Sequence, residues 1–323
     1  MLERTPLPPL PLLLDRALGA YLGFAIGDAL GATVEFMTPR EIAHRFAAQG
    51  GVHRQIVGGG WLRLPAGQVT DDTTMSLALG DALLRGARLG RPLDTTLIAD
   101  AFVAWRRGRP VDCGHTCRRG ILRYLHHGSL HGEPHDGDAG NGALMRNLPV
   151  ALATLGDDTA FERVSIAQAH ITHHHPLSDA AVLAIGHLLR ALLAGAGPAE
   201  LRTHGERLVT RQPVFRFQPY PGRASAYVVD TVQTVLHHLL AFDDFEAAML
   251  ATVNQGEDAD TTGALLGMLA GARCGAAALP RPWKRQLLPA VVHAVSDQAS
   301  ALVALALSPP PPAANTAPEN ATA

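Results

Sequence analysis

Between Asn254 and Thr262 the chain reads NQGEDADTT, which sets Glu257, Asp258 and Asp260 within four positions, just ahead of the apolar run GALLGMLA. Adjacent carboxylates repel one another, and one or two side-chain oxygens suffice to cap the first free N–H groups of a helix. Three carboxylates and two hydroxyls exceed that need. A second segment, QVTDDTTMSLAL, repeats the design about 190 residues earlier, with Thr70, Asp71, Asp72, Thr73 and Thr74 at the head of another apolar run. Both segments are all-oxygen, and hard cations such as Mg2+ and Mn2+ take carboxylate, hydroxyl and water ligands. Together they predict a two-metal centre built from Asp71, Asp72, Asp258, Asp260 and the neighbouring threonines.

Something must bring these segments together. Gly19, Gly23, Gly27 and Gly31 recur every fourth residue, and Gly263, Gly267, Gly271 and Gly275 repeat the spacing. Each glycine costs a helix interior about 1 kcal/mol against alanine. Two such ridges imply helices whose backbones touch, packed antiparallel with Gly31 beside Gly263. That register carries Glu35 to the second acidic segment, as a further metal ligand or a base.

Other residues offer chemistry on loops. Asp112 lies between Gly108 and Gly114, on the kind of loop that presents catalytic groups from a rigid scaffold. The neighbouring Cys113, His115 and Cys117 lack a fourth ligand and the spacing of a zinc finger. The run Gly137-Asp-Ala-Gly-Asn-Gly offers unobstructed N–H groups before a helix expected at Ala143, a cradle for a phosphate or diphosphate. His173 could donate to a substrate hydroxyl or phosphate. Arg216, Tyr220, Arg223 and Tyr227 could stack on a base or hold a phosphate.

The elements that position these groups read as helices. Hydrophobic residues make up 47% of the 323 positions and aromatics only 5%, with Ala, Leu and Gly abundant, a mix suited to close-packed helices rather than sheets. Apolar spacing predicts helices over 14–33, 73–88, 93–107, 116–125, 177–193, 224–242, 244–253, 261–275 and 283–307, some ten in all with the one at Ala143, and no strand. Residues 44–69 and 211–222 read as irregular. The expected architecture is one all-α domain over 14–307, with a Pro-rich arm at 1–13 and a disordered Pro/Ala-rich tail at 308–323. Net charge is -2, so no basic field attracts nucleic acid. Three cysteines are too few for a disulfide scaffold. The start MLERTPLPPLPLLLDR is a poor signal peptide, and no unbroken run of 18 apolar residues offers a membrane span, so a cytoplasmic protein is expected.

The segments GFAIGDALGATVEF, QVTDDTTMSLAL, GNGALMR, ITHHHPLSDAA and NQGEDADTTGAL resemble the ADP-ribosylglycohydrolase family over about residues 15–305. VDCGHTCRRGI and PYPGRASAYVVDTVQTVLHH look most like its branch in nitrogen-fixing bacteria that reactivates dinitrogenase reductase. The resemblance implies an all-α fold and a centre of two divalent ions, Mn2+ preferred over Mg2+, that removes ADP-ribose from an arginine side chain of a protein. By the family pattern Thr70, Asp71, Asp72, Asp258, Asp260 and Thr261 bind metal, Glu35 stands at the same site, and Asp112 is catalytic. Asp138, Gly140, Asn141, Gly142, His173 and Tyr227 fall at substrate contacts, whereas His115 stands where the pattern calls for Asn or Asp. A PII-type signalling protein and a peripheral association with membranes are the regulatory partners it implies.

Competing readings fare less well. An isoprenoid synthase needs a DDxxD box, and Met75 occupies its fifth position. A phosphohydrolase with paired metals would use His–Asp ligands, absent from both acidic segments. A glycohydrolase acting on another ADP-ribosylated substrate and a non-catalytic ADP-ribose reader remain as alternatives. Turnover separates the reader from either enzyme.

Overall fold

The computed structural model describes residues 6–308. Fourteen α-helices account for most of the described chain. They are α1 (Leu10–Gly31), α2 (Pro39–Arg45), α3 (Asp71–Arg88), α4 (Thr95–Arg107), α5 (His115–His127), α6 (Leu148–Ala153) and α7 (Asp158–His170). The remainder are α8 (Pro176–Ala194), α9 (Pro198–Arg211), α10 (Val228–Ala241), α11 (Phe245–Val253), α12 (Ala259–Cys274), α13 (Arg281–Gln286) and α14 (Pro289–Leu307). Among the described residues there is no strand, only isolated bridges between Gly59 and Leu64 and between Gly140 and Tyr227.

The two glycine ridges do meet, and they form the axis of the molecule. α1 and α12 lie against each other along their length, with α3, α10, α11 and α14 packed around the pair. A methyl group at Gly23 would sit 2.1 Å from the carbonyl oxygen of Gly267, and one at Gly27 would sit 2.0 Å from that of Gly263. No side chain fits there. The register is one helical turn off the expected one: Gly27, not Gly31, faces Gly263, and Gly31 abuts Ala259 and Asp260. The slip seats the end of α1 directly on the acidic start of α12.

Several boundaries also differ. α1 begins at Leu10 rather than residue 14, with Pro11 tolerated in its first turn, where no intrahelical N–H bond is lost. The expected helix over 283–307 is two, because Pro289 lacks an N–H and keeps Leu288 extended (ψ 133°). α2 was legible as a capping box: the Thr38 N–H donates to Glu41 Oε2 at 2.7 Å and the Glu41 N–H to Thr38 Oγ1 at 3.3 Å. α9 was likewise not expected; Asp157 caps α7 by accepting from Ala160 N–H. The expected tail from residue 309 onward and the first five residues of the arm lie outside the described residues.

Among the described residues three helices reach the length and mean hydropathy of a membrane span: α1 (1.3), α8 (1.6) and α14 (1.5). The expectation of none rested on unbroken apolar runs, and interruptions such as Asp15 and Arg16 in α1 hide the average. The apolar windows of α1 and α8 are 61% and 56% buried inside the protein, against 28% for α14.

Candidate metal centre and cavity

Both acidic segments become helix starts, and they converge. Carboxylate oxygens of Glu35, Asp258 and Asp260 lie within 4.8 Å of one another. Thr261 Oγ1 donates to Asp72 Oδ2 at 3.2 Å, tying α12 to α3. The Glu35 segment is fastened by backbone: Phe36 N–H donates to the Glu257 carbonyl at 2.6 Å and Glu257 N–H to the Met37 carbonyl at 2.9 Å. Phe36 (φ 62°) and Glu257 (φ 53°) both occupy the left-handed region that non-glycine residues avoid, a cost found where surrounding structure enforces a site.

These groups face a cavity of roughly 220 Å³. Its walls are Glu35–Phe36, Asp71–Asp72, Asp112 and Gly114 with the first turn of α5, Gly140–Gly142 with His173, and Asp258, Asp260 and Thr261. Among the described residues no Lys or Arg lines it. Burial therefore drives the carboxyls upward, and mutual repulsion adds to it. Burial, then Asp258, Asp112 and Asp71, push Glu35 up to about 8 against the opposing hydrogen bond from Trp61. Burial and Asp112 push Asp71 to about 7, and burial raises Asp258 to about 6. Asp72 and Asp260 are held well above the usual carboxylate range by burial and by their acidic neighbours. Asp72 Oδ1 is fully buried and has no hydrogen-bond partner among the described residues. An all-oxygen group with an orphaned carboxylate oxygen and no cationic side chain fits a hard divalent cation.

The remaining candidates divide. Asp112 reaches the cavity, its Oδ1 accepting from Cys113 N–H at 2.7 Å. Asn141 donates from Nδ2 to Asp258 Oδ2 and to Thr231 Oγ1. His173 is buried, its Nδ1 2.8 Å from Thr172 Oγ1, and burial keeps its pKa well below the usual histidine value. A methyl at Gly142 would lie 2.8 Å from Cys117 Sγ and His173 Cε1, so any larger residue there has to displace one of those side chains. Thr70 caps α3 through Oγ1, accepting from Asp72 N–H at 3.3 Å. Asp138 does not line the cavity; its carboxylate accepts from Arg119 and from His174 N–H. Tyr227 stands half-exposed at the start of α10, outside the lining, linked to the glycine loop by backbone bonds such as Val228 N–H to the Ala139 carbonyl.

The glycine loop does not run into a helix at Ala143. Residues 141–146 form tight turns and α6 starts only at Leu148, so no helix dipole points at the loop. Tyr220 is committed to packing, stacked on His237 with centroids 4.5 Å apart. Cys117 is buried beside Arg146, its thiol pushed up to about 12, and among the described residues no ligand cluster forms at Cys113, His115 and Cys117.

Two residues of the site were missed. Asp28, fully buried on α1, accepts from Thr70 N–H (2.9 Å), Thr73 N–H (3.1 Å) and Thr73 Oγ1 (2.6 Å). An acid in the glycine-spaced stretch 19–31, which holds no other charged residue, was the available signal. Trp61 donates from Nε1 to Glu35 Oε2 at 2.6 Å, and nothing in its Gly-rich surroundings marked it.

The helical bundle packed around its glycine seam, with an acidic cavity, falls by both sequence and fold in a known family. The chain belongs to the ADP-ribosylglycohydrolase family, whose profile matches residues 9–309. It is 53% identical over 296 residues to the ADP-ribosyl-[dinitrogen reductase] glycohydrolase of Rhodospirillum rubrum, covering 92% of this chain and 98% of that one. It is also 34% identical to an ADP-ribosylarginine hydrolase of Serratia proteamaculans, over 85% of this chain and 76% of the relative. A solved structure, titled ADP-ribosylglycohydrolase-related protein complex, superposes with a TM-score of 0.80 at 33% identity, covering 92% of this chain and all of that one. The family is metal-dependent, and the acidic group offers three carboxylates whose oxygens lie within 4.8 Å of one another.

Proposed function

We propose that this enzyme hydrolyses the N-glycosidic bond between ADP-ribose and an arginine of dinitrogenase reductase, restoring that protein's activity in the control of nitrogen fixation. The observation that carries the reading is the convergence of Glu35, Asp258 and Asp260 with Asp71 and Asp72 on one cavity, together with the named activity of the Rhodospirillum rubrum relative. Thr70, Asp71, Asp72, Asp258, Asp260 and Thr261, with Glu35 beside them, would hold two divalent ions, Mn2+ by preference and Mg2+ otherwise. Bound there, the ions supply Lewis acidity and a template for the ribose hydroxyls.

The chain's own groups do the rest. Water adds to C1 of the ribose as the C1–N bond breaks, and guanidine leaves only with a proton. Glu35 takes the proton from the attacking water and Asp112 delivers one to the departing nitrogen. Gly140, Asn141 and Gly142 present a wall without side-chain obstruction on the glycine sides, with neutral His173 behind it. Asn141 holds Asp258 in place. Asp138 and Tyr227 act from the flank, ordering Arg119 and the glycine loop. The enzyme works in the cytoplasm, with a PII-type signalling protein and peripheral membrane association as its regulatory context.

The test is incubation of ADP-ribosylated dinitrogenase reductase with the protein and Mn2+, reading free ADP-ribose. Release that stops with chelator and falls at least about 100-fold in Asp112→Asn supports the reading. Binding of the modified protein without release would make the chain a reader rather than an enzyme.

A further inference from the structure

Glu35 sits just past the end of α1, and the indole of Trp61 comes to it from a separate loop. That loop is built to reach: Gly59 and Leu64 exchange backbone hydrogen bonds at 2.7 and 2.9 Å, closing a narrow turn with Trp61 near its tip. Gly60 (φ +67°) packs so closely on α1 that a methyl there would lie 2.1 Å from the Ala32 carbonyl oxygen. Trp61 is 53% exposed and its neighbour Phe36 64% exposed, their ring centroids 5.3 Å apart. Two large aromatics left in solvent are not serving the core. What is satisfied is the indole N–H, 2.6 Å from Glu35 Oε2.

We propose that Trp61 is a positioning residue that holds Glu35 in the divalent-cation site through its indole N–H. The inference rests on the reading of Glu35 given under the proposed function. A carboxylate beside a cation needs its free oxygen restrained, because a wandering ligand forfeits affinity, and hydrogen-bond partners behind metal ligands typically set about 10–100-fold of it. Trp61 supplies that restraint with a donor that cannot itself bind the ion. Phe36 steers the indole by ring contact, and the Gly58–Gly60 run lets the loop lie flat on the end of α1.

A double-mutant cycle on Mn2+ affinity, read by the electron paramagnetic resonance of free Mn2+ and so independent of turnover, tests this. Trp61→Phe keeps a ring against Phe36 and removes only the donor; it is expected to weaken Mn2+ binding about tenfold. Glu35→Gln should weaken it too, and the double variant should bind no worse than Glu35→Gln alone. In the wild-type chain the Trp61 indole N–H resonance, assigned through its contacts to Phe36, should shift on adding Mg2+, a check that holds even if a variant folds poorly. Wild-type affinity in Trp61→Phe with a loss in Glu35→Gln, or an indole resonance indifferent to Mg2+, overturns the role of Trp61 and leaves Glu35 in the centre. Unchanged affinity in Glu35→Gln overturns the place of Glu35 itself, and this inference with it.

Discussion

The starts of α3 and α12 share a composition but are held in opposite ways. At α3 side chains do the fastening: Asp28 accepts from the Thr70 and Thr73 amides and from the Thr73 hydroxyl, while Thr70 Oγ1 accepts from Asp72 N–H. At α12 the residue in the capping position, Asp258, makes no side-chain cap. There the backbone is gripped instead, with Gly31 against Ala259 and Asp260. A carboxylate near a helix start ordinarily caps it. Here other groups anchor both helices, which leaves Asp71, Asp72, Asp258 and Asp260 facing the cavity.

The largest expected effect acts on both starts at once. Glu35 and Asp71, pushed up to about 8 and 7, still hold protons in the folded protein at pH values where the unfolded chain (4.5 and 3.8) has lost them. The folded state then binds more protons than the unfolded one, so stability falls as pH rises. With chelator present, thermal unfolding should show a loss on the order of 5 kcal/mol between pH 5 and 8. Mn2+ should flatten that slope, and a chelated protein equally stable at both ends would count against the clustering of charge.

Next comes Asp28→Ala, which strands three donors at α3 and should cost on the order of 3 kcal/mol. Hydrogen exchange should quicken at Thr70 and Thr73 but not at the start of α12. Equal quickening at both would erase the contrast. The smallest effect belongs to Gly31→Ala. Alanine gains about 1 kcal/mol of helix propensity, but overpacking against the Ala259 carbonyl costs more, for a net loss of about 1–2 kcal/mol in denaturant titration. A stabilised variant would mean that α1 does not press on α12 there.

Much of this was legible beforehand, because local chemistry left marks. Clustered Asp and Thr announced the site, and the glycine period announced the seam. The slip of one turn was not legible, since every glycine offers the same notch and only the surrounding packing selects the register. Asp28 and Trp61 were missed for a related reason: each acts on a residue distant in sequence, and Trp61 belongs to no pattern around itself. The break at Pro289 and the box at Thr38–Glu41 were readable, as both follow from local backbone rules.

The central claim is that the acidic ends of α3 and α12, with Glu35, grip a pair of divalent ions. Diffraction from crystals grown with Mn2+, recorded at its absorption edge, tests it most directly. Two anomalous peaks bounded by Asp71, Asp72, Asp258 and Asp260 are predicted; no peak there, or peaks only elsewhere on the surface, would contradict it.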